Sequence, residues 1–338
     1  MKMPSYKYIA LGIFLCIFAF FFLGWPSEYP KQYGVTWSAP YAESLGLNSM
    51  EGLRATLDDL GVKRFRIPAY WTDIERVQGI YDFSRVSEQL DEIAKHDGQV
   101  ILALGARLPR WPECWVPSWA ESMNTDDRRE AQLAYIQATY NVLKDHPAIF
   151  AWQIENEINF TLYAQCGGLT KDLARAEMRW VRTQESKRAQ PRPVYTSESG
   201  EFSTWIGWAG EVDGVGVSLY RSVISPWIGV VRYWFVPPWA YDRKAILAKF
   251  FVDEVFVSEF QMEPWSFFPL PNTSLNDQYK TLSHEQMKRN FRYAQQLRMP
   301  AVDFWGVEWW YWMKITQDRP EFWNTARIFF RQKNINVK

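Results

Sequence analysis

The stretch Ala151-Trp-Gln-Ile-Glu-Asn-Glu157 is apolar and strand-forming, and it ends abruptly in two carboxylates and an amide. Val255-Phe-Val-Ser-Glu259 repeats the pattern, a hydrophobic run closing on a carboxylate. A strand built only for the core needs no acid at its end. Two glutamates delivered from two strands to one place can give a proton to a leaving oxygen and a nucleophile to the carbon behind it, as cleavage of a sugar acetal requires. The scaffold must therefore bring these two strand ends together.

Composition narrows the alternatives. The chain has 338 residues, with 38 basic and 38 acidic side chains. With no basic excess and no basic run, a nucleic-acid partner is not expected. The chain carries 19 Trp, 17 Tyr and 22 Phe, enough both to build a bulky core and to leave aromatic faces for stacking on sugar rings. There are three Cys and three His, with no CxxC, no HExxH and no phosphate-binding glycine motif, so neither a metal nor a nucleotide cofactor is expected.

Residues 1–30 read as a targeting segment, with Lys2 and Lys7 preceding an apolar run from about Tyr8 to Trp25. The run is near the length of a membrane span, and no small-x-small cleavage site follows it, so an uncleaved signal-anchor is favoured over a cleaved signal peptide. Lysines on its N-terminal side put the rest of the chain outside the cytoplasm.

Residues 31–338 alternate short apolar strands with helical patterns. Strands are expected at Tyr33–Trp37, Lys63–Pro68, Gln99–Gly105, Ile149–Glu157, Pro193–Ser197, Gly214–Tyr220, Val255–Glu259 and Ala301–Trp305. Helices are expected near 49–60, 86–96, 126–146, 172–189, 241–251, 284–298 and 322–331. Between strands 5 and 6 only Phe202–Ala209 is available, too short for a clear helix. Alternation of this kind implies parallel βαβ units, and eight strands imply one closed (β/α)8 TIM barrel rather than an open sheet. In such a barrel the chemistry sits at the C-terminal strand ends, where Trp37, Arg66, Asn156, Glu157, Tyr220, Glu259 and Trp305 all fall.

In this order these residues resemble glycoside hydrolase clan A. Trp152-Gln-Ile-Glu-Asn-Glu157 is similar to the strand-4 signature of that clan, in particular of its β-galactosidase-like families, and Val257-Ser-Glu259 to the strand-7 nucleophile. Arg66 in Phe-Arg-Ile-Pro, Tyr220 in Ser-Leu-Tyr and Trp305 in Asp-Phe-Trp-Gly match further positions, and the likeness covers roughly residues 33–312. Cellulase-like members often carry His at the ends of strands 3 and 6, where this chain has Gly105-Ala-Arg107 and Leu219.

The resemblance implies a retaining β-glycoside hydrolase. Glu259 attacks the anomeric carbon, and Glu157 protonates the leaving oxygen and then deprotonates water, with the carboxyl groups about 5–5.5 Å apart. Arg66 and Tyr220 would hold Glu259, Asn156 would bind the neighbouring sugar hydroxyl, and Trp305 would form a stacking floor, with Trp37 a further substrate contact. Glu155 and Glu198 are read as acids outside the chemistry, and Glu263 and Glu308 as acids just past strand ends.

The expected partner is an oligosaccharide, polysaccharide or glycoconjugate. A transglycosylase using the same residues and an inactive sugar-binding barrel remain as alternatives; the sugar, the linkage, exo or endo action and the oligomeric state stay open. Three aromatic loops on this face, 225–239, 264–271 and 308–312, either form subsites or touch a bilayer and a lipid-linked glycan. Cys114 and Cys166 fall in loops after neighbouring strands 3 and 4, where a disulfide or two free thiols are both admissible.

Overall fold

The computed structural model describes residues 5–160 and 166–335. Eight parallel strands close into a single barrel: β1 (Gln32–Thr36), β2 (Arg64–Pro68), β3 (Gln99–Leu104), β4 (Ile149–Ile154), β5 (Val194–Ser199), β6 (Gly214–Leu219), β7 (Glu254–Gln261) and β8 (Ala301–Trp305). Each pairs with its sequence neighbours, and β8 returns to β1 with Thr36 opposite Trp305. The principal helices are α1 (Ser5–Phe22), α2 (Ser84–Lys95), α3 (Thr125–Leu143), α4 (Lys171–Glu185), α5 (Pro238–Ala248), α6 (His284–Gln296), α7 (Val307–Ile315) and α8 (Glu321–Ile335).

Side-chain alternation explains the two cores. Val100, Leu102 and Leu104 of β3 face the helices, in one continuous cluster with residues such as Leu90, Ile136 and Met178. The residues between them face inward, where Ile101 packs with Ala151, Tyr195, Phe256 and Ala301 in a small interior cluster. Strands covered on both faces read as unbroken hydrophobic runs, which is why they stand out in the sequence. The barrel interior also buries an ion pair, Arg64 to Asp303 at 2.8 Å, with the guanidinium over the Phe150 and Phe256 rings.

Local chemistry sets the helix ends. Asn124 caps α3 by accepting from the amides of Asp126 and Asp127, and Thr170 caps α4 through Leu173. The expected helix to His146 stops at Leu143, because Pro147 disfavours helical backbone in the residue before it. Among the described residues no helix joins β5 to β6. The buried indoles of Trp205 and Trp208 fill that place instead.

Three expectations change. The 308–312 stretch is not a loop: it lies in α7, with Trp309, Trp310 and Trp312 buried and only Tyr311 half-buried. A helix buried on most sides carries little amphipathic stripe, which hid this one. The loop after β6 contains an antiparallel hairpin, Ser222–Ser225 with Gly229–Arg232. The expected apolar run to Trp25 ends as helix α1 at Phe22, and Lys2 lies outside the described residues. Among the described residues no helix is long and apolar enough to cross a membrane. The C-terminal end of α1 rests on α5, where Trp239 donates to the Phe22 carbonyl at 3.0 Å and Arg243 to the Leu23 carbonyl at 2.5 Å.

Candidate active site

The structure brings Asn156, Glu157, Arg66, Tyr220 and Glu259 to one end of the barrel. Arg66 projects inward from β2 and is fully buried. Its guanidinium has a partner for each nitrogen: Nε donates to Gln153 Oε1 at 2.7 Å, Nη1 to Glu259 Oε1 at 2.6 Å and Nη2 to Asn156 Oδ1 at 2.6 Å. Tyr220 donates its hydroxyl to the other Glu259 oxygen at 3.2 Å. The expected Arg66 to Glu259 ion pair is therefore present, and the same guanidinium ties strand 4 to strand 7.

Glu259 reaches this position through a β-bulge. The register between β6 and β7 shifts so that Val217 pairs with Val257 but Ser218 pairs with Glu259. Val255 and Val257 face the helices, and strict alternation would send Glu259 out with them. One extra residue at Ser258 turns Glu259 inward.

A different device sets the strand-4 end. β4 stops at Ile154, and Glu155 and Glu157 both adopt left-handed backbone, with φ of 59° and 47°. Such φ values are uncommon for residues with a Cβ and need outside support. Gln153 supplies part of it by donating Nε2 to the Glu155 carbonyl at 2.9 Å, and Arg107 donates to the Glu157 carbonyl at 2.8 Å.

The turn separates the two acids. A regular pleat would point residues two apart the same way, but Glu155 turns outward and accepts from the amides of Ala106 and Arg107 and from Gln132, at 2.8, 2.7 and 2.8 Å. Gly105, at φ 144°, gives it room, since a Cβ there would lie 2.4 Å from the Glu155 carboxyl carbon. Glu155 thus pins the strand-3 loop, and Glu198 accepts from Asn159 and Trp208, so both acids read as outside the chemistry have structural partners.

Glu157 is buried at the mouth and accepts a hydrogen bond from Ser218 Oγ. Burial, and after it the charge of Glu259, raise its carboxyl above the usual range and favour the protonated form. Asn156 Oδ1 accepts from Arg66 and, at 2.6 Å, from Ser197 Oγ, so its amide NH₂ is the group left to donate elsewhere.

Two expected contacts are placed differently. Trp37 is fully buried, its ring against Gly52 behind the barrel wall, and is a core residue rather than a substrate contact. The pleat explains this: Thr36 ends β1, and the next residue falls on the helix-facing side. Trp305 lies at the mouth, but the Arg110 guanidinium covers one of its faces at 3.9 Å, and its Nε1 donates to Glu263 Oε1 at 2.7 Å.

Sequence reasoning did not single out Gln153, Ser197, Ser218, Arg107 or Arg110. The first two had a legible signal, since residues two apart on a strand share a face, and Gln153 and Ser197 lie inward of strand-end positions. Arg107 and Arg110 sit on the irregular loop after β3, which carries no period to place them. Cys114 and Cys166 are joined in a disulfide that ties this loop to the one after β4, which resolves the open alternative.

No family model matches the chain, and no curated protein matches it. Solved structures do. A β-galactosidase from the Antarctic haloarchaeon Halorubrum lacusprofundi aligns at TM-score 0.51 and 15% identity over 81% of this chain and 52% of its own. An endo-glycoceramidase II from Rhodococcus sp. aligns at 0.52 and 14% over 82% and 73%. The xylanase TsXylA from Thermoanaerobacterium saccharolyticum aligns at 0.54 and 14% over 83% and 86%. The chain spans about half the length of the β-galactosidases it matches. At these identities the likeness is one of fold: the chain shares an eight-stranded parallel barrel with these glycosidases.

Proposed function

We propose that this protein is a retaining β-glycoside hydrolase. The observation that carries the reading is Arg66, whose one guanidinium binds Glu259 on strand 7 and Asn156 beside Glu157 on strand 4. Arg66 holds one Glu259 oxygen and Tyr220 the other, each by a single hydrogen bond, so a lone pair remains to approach an anomeric carbon, and Glu157 enters the reaction carrying a proton. In the first step the Glu259 oxygen forms a bond to the anomeric carbon as the bond to the leaving oxygen breaks, and that oxygen takes the Glu157 proton. In the second, Glu157 takes a proton from water, the water oxygen bonds to the anomeric carbon, and Glu259 leaves. The Asn156 amide donates to the adjacent sugar hydroxyl. The glycosidases that share the fold support this class of substrate.

The test is hydrolysis of a panel of aryl β-glycosides by wild type, Glu259→Ala and Glu157→Ala. The expected result is activity in wild type, with azide restoring turnover of activated substrates in both variants. The azide product should keep the β configuration for Glu157→Ala and be inverted for Glu259→Ala. Equal activity of all three proteins would overturn the reading.

The segment 1–30 is proposed to tether the catalytic barrel to a membrane, on its extracytoplasmic side. Exposed apolar side chains along α1 support this, as do Trp227, Ile228, Trp234 and Phe235 around the hairpin and Phe267 and Phe268 after β7. Co-sedimentation with liposomes, with and without residues 1–24, tests it. Equal recovery in the supernatant would refute it.

A further inference from the structure

A sugar ring held between Glu157 and Glu259 has two sides. Its leaving group must lie within hydrogen-bond reach of Glu157, so the aglycone occupies the strand-4 side. Any further sugar attached at the non-reducing end must extend the other way, toward the ends of β7, β8 and β1. That side is walled. Arg110 reaches over from the strand-3 loop, its guanidinium 3.9 Å from the ring centres of both Tyr41 and Trp305. It forms ion pairs with Glu263, two residues past β7, and with Glu308, in the first turn of α7. Tyr41 Oη donates to Glu263 at 3.1 Å, and the Ser38 amide donates to Glu308 at 2.7 Å.

The wall is rigid and lies next to the reaction centre. Arg110, Glu263 and Glu308 are all buried, so parting any one of them from the others strands a charge away from water. Arg110 has φ of 83°, a backbone state that a non-glycine residue keeps only where its surroundings enforce it. Trp115 Nε1 donates to the Arg110 carbonyl at 3.1 Å, and the Tyr70 hydroxyl donates to the Pro109 carbonyl at 2.9 Å. On its far side the same loop is fixed by Arg107 to the Glu157 carbonyl and by the bridge from Cys114 to Cys166. Glu263 follows Glu259 by four residues, just past the end of the same strand, so the wall stands beside the strand that carries Glu259.

We propose that Arg110, clamped by Glu263 and Glu308 between Tyr41 and Trp305, closes the site beyond one sugar and commits the enzyme to removing single residues from the non-reducing end. This rests on the glycosidase reading above. Arg110 acts as a specificity residue by holding that wall in place.

The experiment compares 4-nitrophenyl β-monoglycosides with 4-nitrophenyl β-disaccharides of the same sugars, using the full chain and following nitrophenol and sugar products together. The expected result is prompt nitrophenol release from a monoglycoside and direct release from its disaccharide lower by about 10²-fold in kcat/KM, because the second sugar meets the wall. Arg110→Ala should raise the disaccharide-to-monoglycoside ratio of kcat/KM by roughly tenfold or more, a ratio that loss of folded protein alone does not move. Prompt release of intact disaccharide by wild type, at a rate like that of the monoglycoside, overturns the proposal and leaves the hydrolase reading standing. If no glycoside of either length is cleaved, the hydrolase reading fails and this proposal with it.

Discussion

Two of the buried arginines at the mouth of the barrel, Arg66 and Arg110, solve the same problem differently. Arg66 stands on a strand, in regular backbone, with a partner for every guanidinium nitrogen. Arg110 stands on a loop, in left-handed backbone, pressed between two aromatic rings and two carboxylates, with Nε left over. Arg66 sets the position of the groups proposed to react, and Arg110 sets the boundary of the space around them. The difference teaches that a barrel places its chemistry with strands and its selectivity with loops, because only loops are free to reach across the mouth.

Breaking the reacting half should cost the most. Glu259→Ala is expected to lower kcat on aryl glycosides by roughly 10⁴-fold, as removal of a nucleophile does, with thermal unfolding measured alongside to show that the fold persists. Arg66→Lys keeps the charge but loses the fork that reaches Gln153, Glu259 and Asn156 together. It is expected to lower kcat by about 10²-fold with little change in KM, read from steady-state kinetics.

The pH profile sharpens the same half. In the proposed mechanism the active form of Glu157 is protonated, and its raised pKa extends that form to higher pH. Turnover of glycosides with poor leaving groups should therefore hold through neutral pH and fall as pH rises through the Glu157 pKa. Glu157→Gln should abolish that alkaline limb for activated substrates, which need no proton.

The boundary half should yield smaller effects. Replacing Cys114 and Cys166 by Ser frees a loop closed over 52 residues and is expected to cost up to about 4 kcal/mol of stability in the chain-entropy view, measured by denaturant unfolding. It should also loosen Arg110 more than Arg66, seen as a change in glycoside length preference.

Away from both arginines, Glu201 is pushed up to about 7 by burial and accepts from Tyr241 at 2.6 Å. The folded state keeps this proton while the unfolded chain releases it near about 4.3, so its contribution to stability is full below that value and is lost as pH rises to about 7. Glu201→Gln should flatten the fall in melting temperature across that window, an effect smaller than those above.

The elements legible in the sequence are those with a period. Each barrel strand falls within a few residues of its expected span, because strands buried on both faces are written as unbroken apolar runs. Glu157, Glu259, Arg66 and Tyr220 stood out because each terminates or punctuates such a run. What failed lacked a period or broke one. Trp37 was assigned to the mouth on position alone, and the pleat turned it into the core. The 308–312 part of the helix over Val307–Ile315 was read as loop because burial on most sides blurred its stripe. Arg107 and Arg110 were invisible for the same reason that they are useful, since their loop follows no repeat.

The sequence by itself determined the barrel, the order of its strands and the two carboxylates at their ends, because hydrophobic patterning and chain order are local properties. Only the tertiary structure decided which way those carboxylates point. A single inserted residue at Ser258 turned Glu259 inward, and left-handed turns sent Glu155 and Glu157 to opposite sides. It alone decided that Arg110 would close the mouth, since a buried charge goes where partners from distant parts of the chain can meet it.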